Sequence, residues 1–177
     1  MNIWNLFRRK TAIITLPNSW EFDILNPDPN LIDLEHIAIS LGNQCRFTGL
    51  VEEFYSIAEH SINVAKCLEM YGHDRSIVLA GLLHDAAETY ISDLNTPLKT
   101  YIGKKYKDVE RNIEKAICKR FGVDLFKNKV IIKYFDKVMY GIENDALKNK
   151  NSHPIIRNLT PKDARRAFLD EFARITS

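Results

Sequence analysis

The sequence predicts an all-α domain with a short β-hairpin near its N-terminus, and three observations support this. From Leu31 onward, apolar residues recur at helical spacing between clear start and stop signals. Residues 12–25, AIITLPNSWEFDIL, instead contain a β-branched run, a Pro-Asn-Ser turn and an alternating stretch. The 177 residues contain no internal repeat or linker. We therefore expect a single domain over residues 1–177, with an extended or hairpin segment at 1–30 and a C-terminal helix at 160–177.

The first two predicted helices carry capping signals. Asp33 is the candidate N-cap of a helix whose apolar stripe contains Leu34, Ile37, Ala38, Leu41 and Cys45. A capping-box pattern, Ser56 with Glu59, opens the second helix, and Gly72 follows it as a C-terminal stop. His60 lies in the first turn of this second helix.

Two further helices follow. Residues 75–91, RSIVLAGLLHDAAETYI, are apolar almost all round as far as Leu83, which predicts one central buried helix. Residues 106–122 predict an amphipathic helix that ends at Gly122 and whose apolar stripe is either core or subunit interface.

The last two helices complete the bundle. Residues 129–148 place Ile131, Phe135, Val138 and Ile142 on one stripe. The final helix starts with Thr160 as N-cap, Pro161 at the first helical position and Asp163 two residues later.

Composition excludes several function classes. The net charge is only +2 and the basic cluster Arg8-Arg9-Lys10 is short, so we expect a solvated end and no nucleic-acid polymer as partner. No apolar run approaches the roughly 20 residues that span a bilayer, so no membrane partner is expected. The three cysteines (Cys45, Cys67, Cys118) form no C-x-x-C pair, and the first ten residues lack the long apolar core of a signal peptide. These features predict a cytoplasmic protein.

Polar residues interrupt the apolar stripes at a few positions. On a continuous helix, His84 and Glu88 would share one face, with Asp85 about 100° round. Asp136 lies on the helical row Ile132, Asp136, Met139, Glu143. Together with His60, these groups either lie on a wet surface or share a task, because burying them unpaired is costly. Two imidazoles and two carboxylates suit Mn, Fe, Co, Ni or Zn as a divalent ion, with Mg accommodated through the carboxylates.

Three separated blocks resemble the HD-domain metal-dependent phosphohydrolases: YSIAEHSINVA, AGLLHDAAETYISDLNTPLK and KYFDKVMYGIENDAL. FDILNPDPNLIDLEHIA and CRFTG are similar to the N-terminal part of the 5′-deoxynucleotidase branch and its phage-associated relatives, which include dATP triphosphohydrolases. The resemblance covers roughly residues 20–150. It implies a compact HD-domain helical bundle, a homo-oligomer (a dimer or larger) and the cytoplasm, which is the host's if the protein is phage-encoded.

The resemblance also implies roles for individual residues. The metal ligands are His60, His84, Asp85 and Asp136, and the catalytic acids are Glu88 and Asp93. Arg46 would contact phosphate, Phe47 the nucleoside, and Pro97, in the loop after Asp93, the base. Lys99 is a candidate for a second positive charge, although a lysine in a loop is usually solvated.

Several functions stay open at this point. A small-molecule nucleotide is the expected substrate: either a deoxynucleoside monophosphate that loses phosphate, or a triphosphate, notably dATP, that loses tripolyphosphate. Lys99, Lys104 and Lys105 would serve a triphosphate, or they form an exposed run. The alternatives are an HD hydrolase of signalling nucleotides of the guanosine tetraphosphate type and a non-catalytic nucleotide-binding module.

Overall fold

The computed structural model describes residues 10–149 and 151–177 of the chain. Arg8, Arg9 and the rest of residues 1–9 therefore lie outside the described part. Within that part, eight α-helices follow a small hairpin, which confirms the predicted fold class. The helices are α1 (Leu34–Asn43), α2 (Ile57–Met70), α3 (Arg75–Leu82), α4 (Glu88–Ile91), α5 (Thr96–Ile102), α6 (Lys104–Phe121), α7 (Lys129–Lys148) and α8 (Pro161–Thr176).

The hairpin pairs β1 (Ile13–Thr15) with β2 (Glu21–Asp23) in antiparallel register, with Ile14 opposite Phe22. Phe22 is fully buried, and its ring stacks on that of Tyr90 with the ring centroids 4.2 Å apart. Alternation places this side chain on the inner face of the strand. The hairpin therefore packs on α4 through one aromatic pair.

The predicted N-caps form as expected. Asp33 accepts hydrogen bonds from two backbone N–H groups of α1, and Ser56 and Thr160 accept one each from α2 and α8. The second half of the predicted capping box is wrong, because the Glu59 carboxylate turns away from Ser56. It accepts the backbone N–H groups of Arg157 (2.7 Å) and Leu159 (2.8 Å) and so fastens the segment before α8 onto α2.

The single helix predicted over residues 75–91 is wrong. Helix α3 ends at Leu82, residues 83–87 form successive turns, and α4 begins at Glu88. The His84 ring Nδ1 lies 2.7 Å from the carbonyl oxygen of Gly81 and occupies an acceptor near the end of α3. Backbone bonds from Ala86 to Leu83 and from Glu88 to Asp85 then tighten the chain into turns. His84 and Glu88 consequently do not share one helix face.

Helix α5 was not expected, and its presence corrects the assignment of Pro97 and Lys99 to a loop. Asn95 caps α5 by accepting the N–H of Leu98 at 3.0 Å. Pro97 lies in the first turn, where its missing N–H costs nothing. Gly103, with φ of +69°, separates α5 from α6.

Helix α2 is central and packs against α1, α3, α7 and α8. The apolar stripe of α6 is buried within the chain's own core, which favours core over subunit interface; its buried residues are Tyr106, Ile113, Ala116 and Ile117. All three cysteines are free. Across the described residues, no helix combines the length and apolar character needed to cross a membrane.

Candidate metal centre

The structure brings His60, His84 and Asp85 together. One ligand atom from each lies within 4.8 Å of the other two, and the two imidazole centroids are 5.2 Å apart. His60 comes from the buried helix α2, whereas His84 and Asp85 come from the turns after α3. These turns, rather than a helix face, aim the His-Asp pair at α2.

Both imidazoles are held by Nδ1. The Nδ1 of His60 lies 2.6 Å from a carboxylate oxygen of Glu143, and that of His84 lies 2.7 Å from the Gly81 carbonyl oxygen. Carboxylate and carbonyl oxygens only accept, so each neutral ring carries its proton on Nδ1 and leaves Nε2 unprotonated. In this tautomer, both buried Nε2 atoms lack a hydrogen-bond donor within the described part of the chain. A histidine binds a metal ion through the lone pair of one ring nitrogen, while a hydrogen bond at the other nitrogen fixes the ring. Both imidazoles meet this requirement.

Two carboxylates face these nitrogens. Asp85 Oδ2 lies 3.2 Å from His84 Nε2 and 3.7 Å from His60 Nε2. Asp136, on α7, places Oδ1 3.2 Å from His60 Nε2. The four predicted metal ligands thus converge from α2, the turns after α3, and α7. Two nitrogens and two carboxylates suit a divalent first-row transition metal, so the donor set fits the implied ion.

The charges in the cluster reinforce this fit. Burial opposes a charge on His84, but the Asp85 carboxylate beside it raises the pKa of the imidazole to about 9. Burial likewise disfavours the Asp85 carboxylate, yet the two histidines and Arg46 hold its pKa well below the usual range. The site therefore attracts positive charge, which a proton or a divalent cation can supply.

Glu143 is a residue that sequence reasoning missed. Besides contacting His60, its fully buried carboxylate accepts the Tyr55 hydroxyl at 2.9 Å and Arg46 Nε at 3.2 Å. The available signal was its position seven residues after Asp136, on the same row of the helix. Glu143 orients one ligand and anchors one cation.

Arg46 lies beside the cluster. In addition to its bond to Glu143, its NH1 lies 3.7 Å from Asp85 Oδ2. Its backbone N–H donates to the Tyr55 carbonyl at 2.9 Å, which fixes the loop that carries it. The Phe47 ring lies against Tyr140 on α7, with a centroid separation of 5.7 Å. The arginine is thus placed at the metal cluster, and Phe47 packs along α7 next to it.

Glu88, Asp93 and Lys99 form a second charged group. Lys99 Nζ lies 2.9 Å from Glu88 Oε1, 4.0 Å from Asp93 and 3.7 Å from Glu110. Lys99 is therefore a partly buried ion-pair centre, not a solvated lysine. Burial and the negative charge of Asp85 raise the pKa of Glu88 to about 8 despite Lys99. Its Oε2 has no hydrogen-bond partner among residues 10–149 and 151–177.

A cavity of about 250 Å³ opens onto the cluster. It is lined by His84, Asp85, Lys99, Glu110, Glu114, Leu125, Phe126, Lys129, Ile132, Lys133 and Asp136. Pro97 is exposed at the start of α5, outside the set of described residues that line it. Lys104 pairs with Asp108 on the surface of α6. A larger cavity of about 550 Å³ lies elsewhere, between the start of α3, the connection from α6 to α7 and the end of α8.

Part of the chain is similar in sequence to known proteins. Residues 57–143 match the family model described as HD domain. The chain is 32% identical over 126 residues to the uncharacterized protein YfdR of Escherichia coli (strain K12), covering 71% of this chain and 66% of that protein. An uncharacterized protein of Rhodobacter capsulatus is 37% identical over 105 residues, covering 57% and 54% respectively. The chain thus spans less than two thirds of either relative's length.

Proposed function

We propose that the chain, whose residues 57–143 match the HD domain model, is a divalent-metal-dependent phosphohydrolase that attacks the 5′-phosphate of deoxynucleotides. One observation carries the proposal: two buried imidazoles with Nδ1 fixed turn their Nε2 atoms toward the carboxylates of Asp85 and Asp136. In the neutral tautomer each Nε2 faces carboxylate oxygens and has no donor among the described residues. A buried acceptor left without a donor is costly, so a cation between the imidazoles and the carboxylates would stabilise the site.

His60, His84, Asp85 and Asp136 would hold the ion, which is Co, Mn, Zn, Ni, Fe or Mg. When bound, a divalent cation acts as a Lewis acid on phosphate oxygens and lowers the pKa of water. Glu143 fixes His60 through Nδ1, so that the ring presents Nε2 to the ion.

Glu88 and Asp93 are the proposed proton-handling pair. Glu88 is almost fully buried, and one of its carboxylate oxygens remains free to orient a water molecule. A carboxyl whose pKa is raised to about 8 accepts and returns a proton near neutral pH. Lys99 holds the other oxygen and fixes the direction of the free one.

Arg46 and the cavity supply the contacts to phosphate. The planar guanidinium of Arg46 beside Asp85 can stabilise charge that gathers on phosphate oxygens. Lys129 and Lys133 also line the cavity, beside Glu110 and Glu114, and are available to the additional phosphates of a triphosphate substrate. Lys104 contributes little, because it pairs on the surface.

The test is a substrate panel with protein freed of metal and reloaded with Mn²⁺ or Co²⁺. Tripolyphosphate released from dATP would support the triphosphohydrolase, and phosphate released from dAMP the monophosphatase. Hydrolysis of guanosine tetraphosphate alone would favour the signalling class. Protein that binds one metal ion yet hydrolyses none of the three would overturn the catalytic proposal and leave the binding module.

Two further properties belong to the same proposal. The family resemblance implies a homo-oligomer, a dimer or larger, located in the cytoplasm. Light scattering on the purified chain tests the first property, and a measured monomer over the working concentration range would refute it. Cell fractionation tests the second.

A further inference from the structure

The side chain of Gln44, the C-cap residue directly after α1, links the two segments that carry the proposed catalytic acids. Its Nε2 donates to the Glu88 carbonyl at 3.1 Å, and its Oε1 accepts the backbone N–H of Asp93 at 3.1 Å. The same Nε2 donates to Ser40 Oγ at 2.9 Å. Because a carbonyl only accepts and a backbone N–H only donates, these partners fix which end of the amide faces which acid.

The backbone between the two acids is strained. Ser92 has φ of 63° and ψ of 159°, a region that is essentially restricted to glycine because a Cβ clashes there. The Ser92 N–H donates to the Glu88 carbonyl at 2.9 Å, so the turn closes on the same oxygen that Gln44 contacts. An unfavourable conformation persists only where its surroundings hold it, and Gln44 bonds to both sides of it.

The main chain of Gln44 connects the same residue to the metal ligands. Its carbonyl accepts the N–H of Ile57, the first residue of the helix that carries His60, at 3.1 Å. Arg46 follows two residues later. Gln44 therefore hydrogen-bonds both to the start of α2 and to the α4 segment.

We propose that Gln44 is a positioning residue that holds Glu88 and Asp93 in register with the metal centre by clamping the strained turn at Ser92. The proposal rests on the catalytic roles proposed above for these two acids. Gln44 itself touches neither metal ligand side chains nor the free oxygen of Glu88 in the contacts described, so its effect passes through the backbone.

The decisive variant is Gln44→Met, which keeps the length of the side chain and removes its hydrogen bonds. Relaxation of Ser92 then moves Asp93 and Glu88, so we expect kcat to fall about 100-fold, the usual cost of a displacement near 1 Å. KM should stay within about threefold and metal content should be unchanged, since the ligands are untouched. If Gln44→Met does not fold, Gln44→Asn carries the same test, because it is one methylene too short to reach both partners.

Rescue separates positioning from general destabilisation. In the Gln44→Met background, Ser92→Gly removes the clash at positive φ and should restore kcat about tenfold. Ser92→Ala in the same background is the matched control; it keeps the Cβ and should restore nothing. The Ser92 variants alone provide the baselines.

Hydrogen exchange at the Asp93 amide gives a readout that does not depend on turnover. We expect protection in the unaltered chain and at least about tenfold faster exchange in Gln44→Met. Unchanged exchange, unchanged kcat in an active enzyme, or equal rescue by Ser92→Ala and Ser92→Gly would overturn the proposal. A chain inactive on every nucleotide, with protection still dependent on Gln44, would refute the proposed function and leave the clamp standing.

Discussion

Replacing Glu143 by glutamine tests whether its buried carboxylate holds His60 in the orientation that the metal centre requires. The carboxylate faces His60 Nδ1 at 2.6 Å, the Tyr55 hydroxyl at 2.9 Å and Arg46 Nε at 3.2 Å, and all three can donate. A carboxamide has one accepting oxygen and one donating nitrogen. In one orientation the NH₂ group of the glutamine faces the N–H of Arg46, so that two donors oppose each other. In the other orientation the NH₂ group faces His60 and Tyr55. In the second orientation His60 must accept at Nδ1, which places its proton on Nε2.

The expected magnitudes follow from burial. Glu143 is fully buried and the Arg46 side chain is 12% exposed, so removing the charge leaves a desolvated guanidinium that keeps Asp85 at 3.7 Å and the weaker influence of Asp136. We expect Glu143→Gln to lower the free energy of unfolding of the metal-free protein by about 3 kcal/mol. Affinity for Mn²⁺ should fall about 10- to 100-fold, because His60 loses its orienting partner.

The matched control is Glu35→Gln. Glu35 pairs with Arg165 at 2.7 Å, but about half of each side chain is exposed. The same chemical change there should cost less than about 1 kcal/mol and leave metal affinity unchanged. Urea unfolding and titration calorimetry measure both quantities. Equal costs in the two variants, or a metal affinity within twofold of the original in Glu143→Gln, would refute the role assigned to Glu143.

Further substitutions separate metal binding, catalysis and packing. Glu88→Gln should lower turnover at least about 100-fold while metal analysis finds the ion still bound. Asp85→Asn should lose both, and full activity in either variant would contradict its role. Gly81→Ala should destabilise the fold by about 1–3 kcal/mol in urea unfolding, because the new Cβ would lie 2.3 Å from buried Leu68 Cδ1. Gly141→Ala meets nothing within 4 Å and should stabilise α7 by about 0.5–1 kcal/mol; a loss of stability there would contradict this.

Features governed by local interactions were predictable from the sequence. Caps such as Asp33, Ser56 and Thr160 act within one turn of their own position, so the sequence marks where these helices start. The hairpin and the long helices α6 and α7 were likewise predicted, because their apolar spacing survives in the folded chain.

Features that depend on distant partners were not predictable. The break after α3 coincides with a side-chain bond of His84 to the Gly81 carbonyl, whereas the apolar pattern continues through this region without interruption. Glu59 satisfies the capping-box pattern, yet its carboxylate bonds about a hundred residues away, to Arg157 and Leu159. The ion pairs of Lys99 require α5 and α6 to lie side by side, and no local sequence pattern predicts that packing.

The HD match covers residues 57–143, but some buried polar side chains within this range find their hydrogen-bond partners in flanking segments. Glu59 has no exposed surface, and both carboxylate oxygens are satisfied by the segment before α8. Asn63 donates to the Ile155 carbonyl at 3.2 Å and to the Tyr55 hydroxyl, which in turn donates to Glu143. An unsatisfied buried carboxylate is strongly destabilising, so the flanking segments are part of what keeps α2 in place. Since His60 follows Glu59 directly, the position of the metal centre depends on the segments that flank residues 57–143 on both sides.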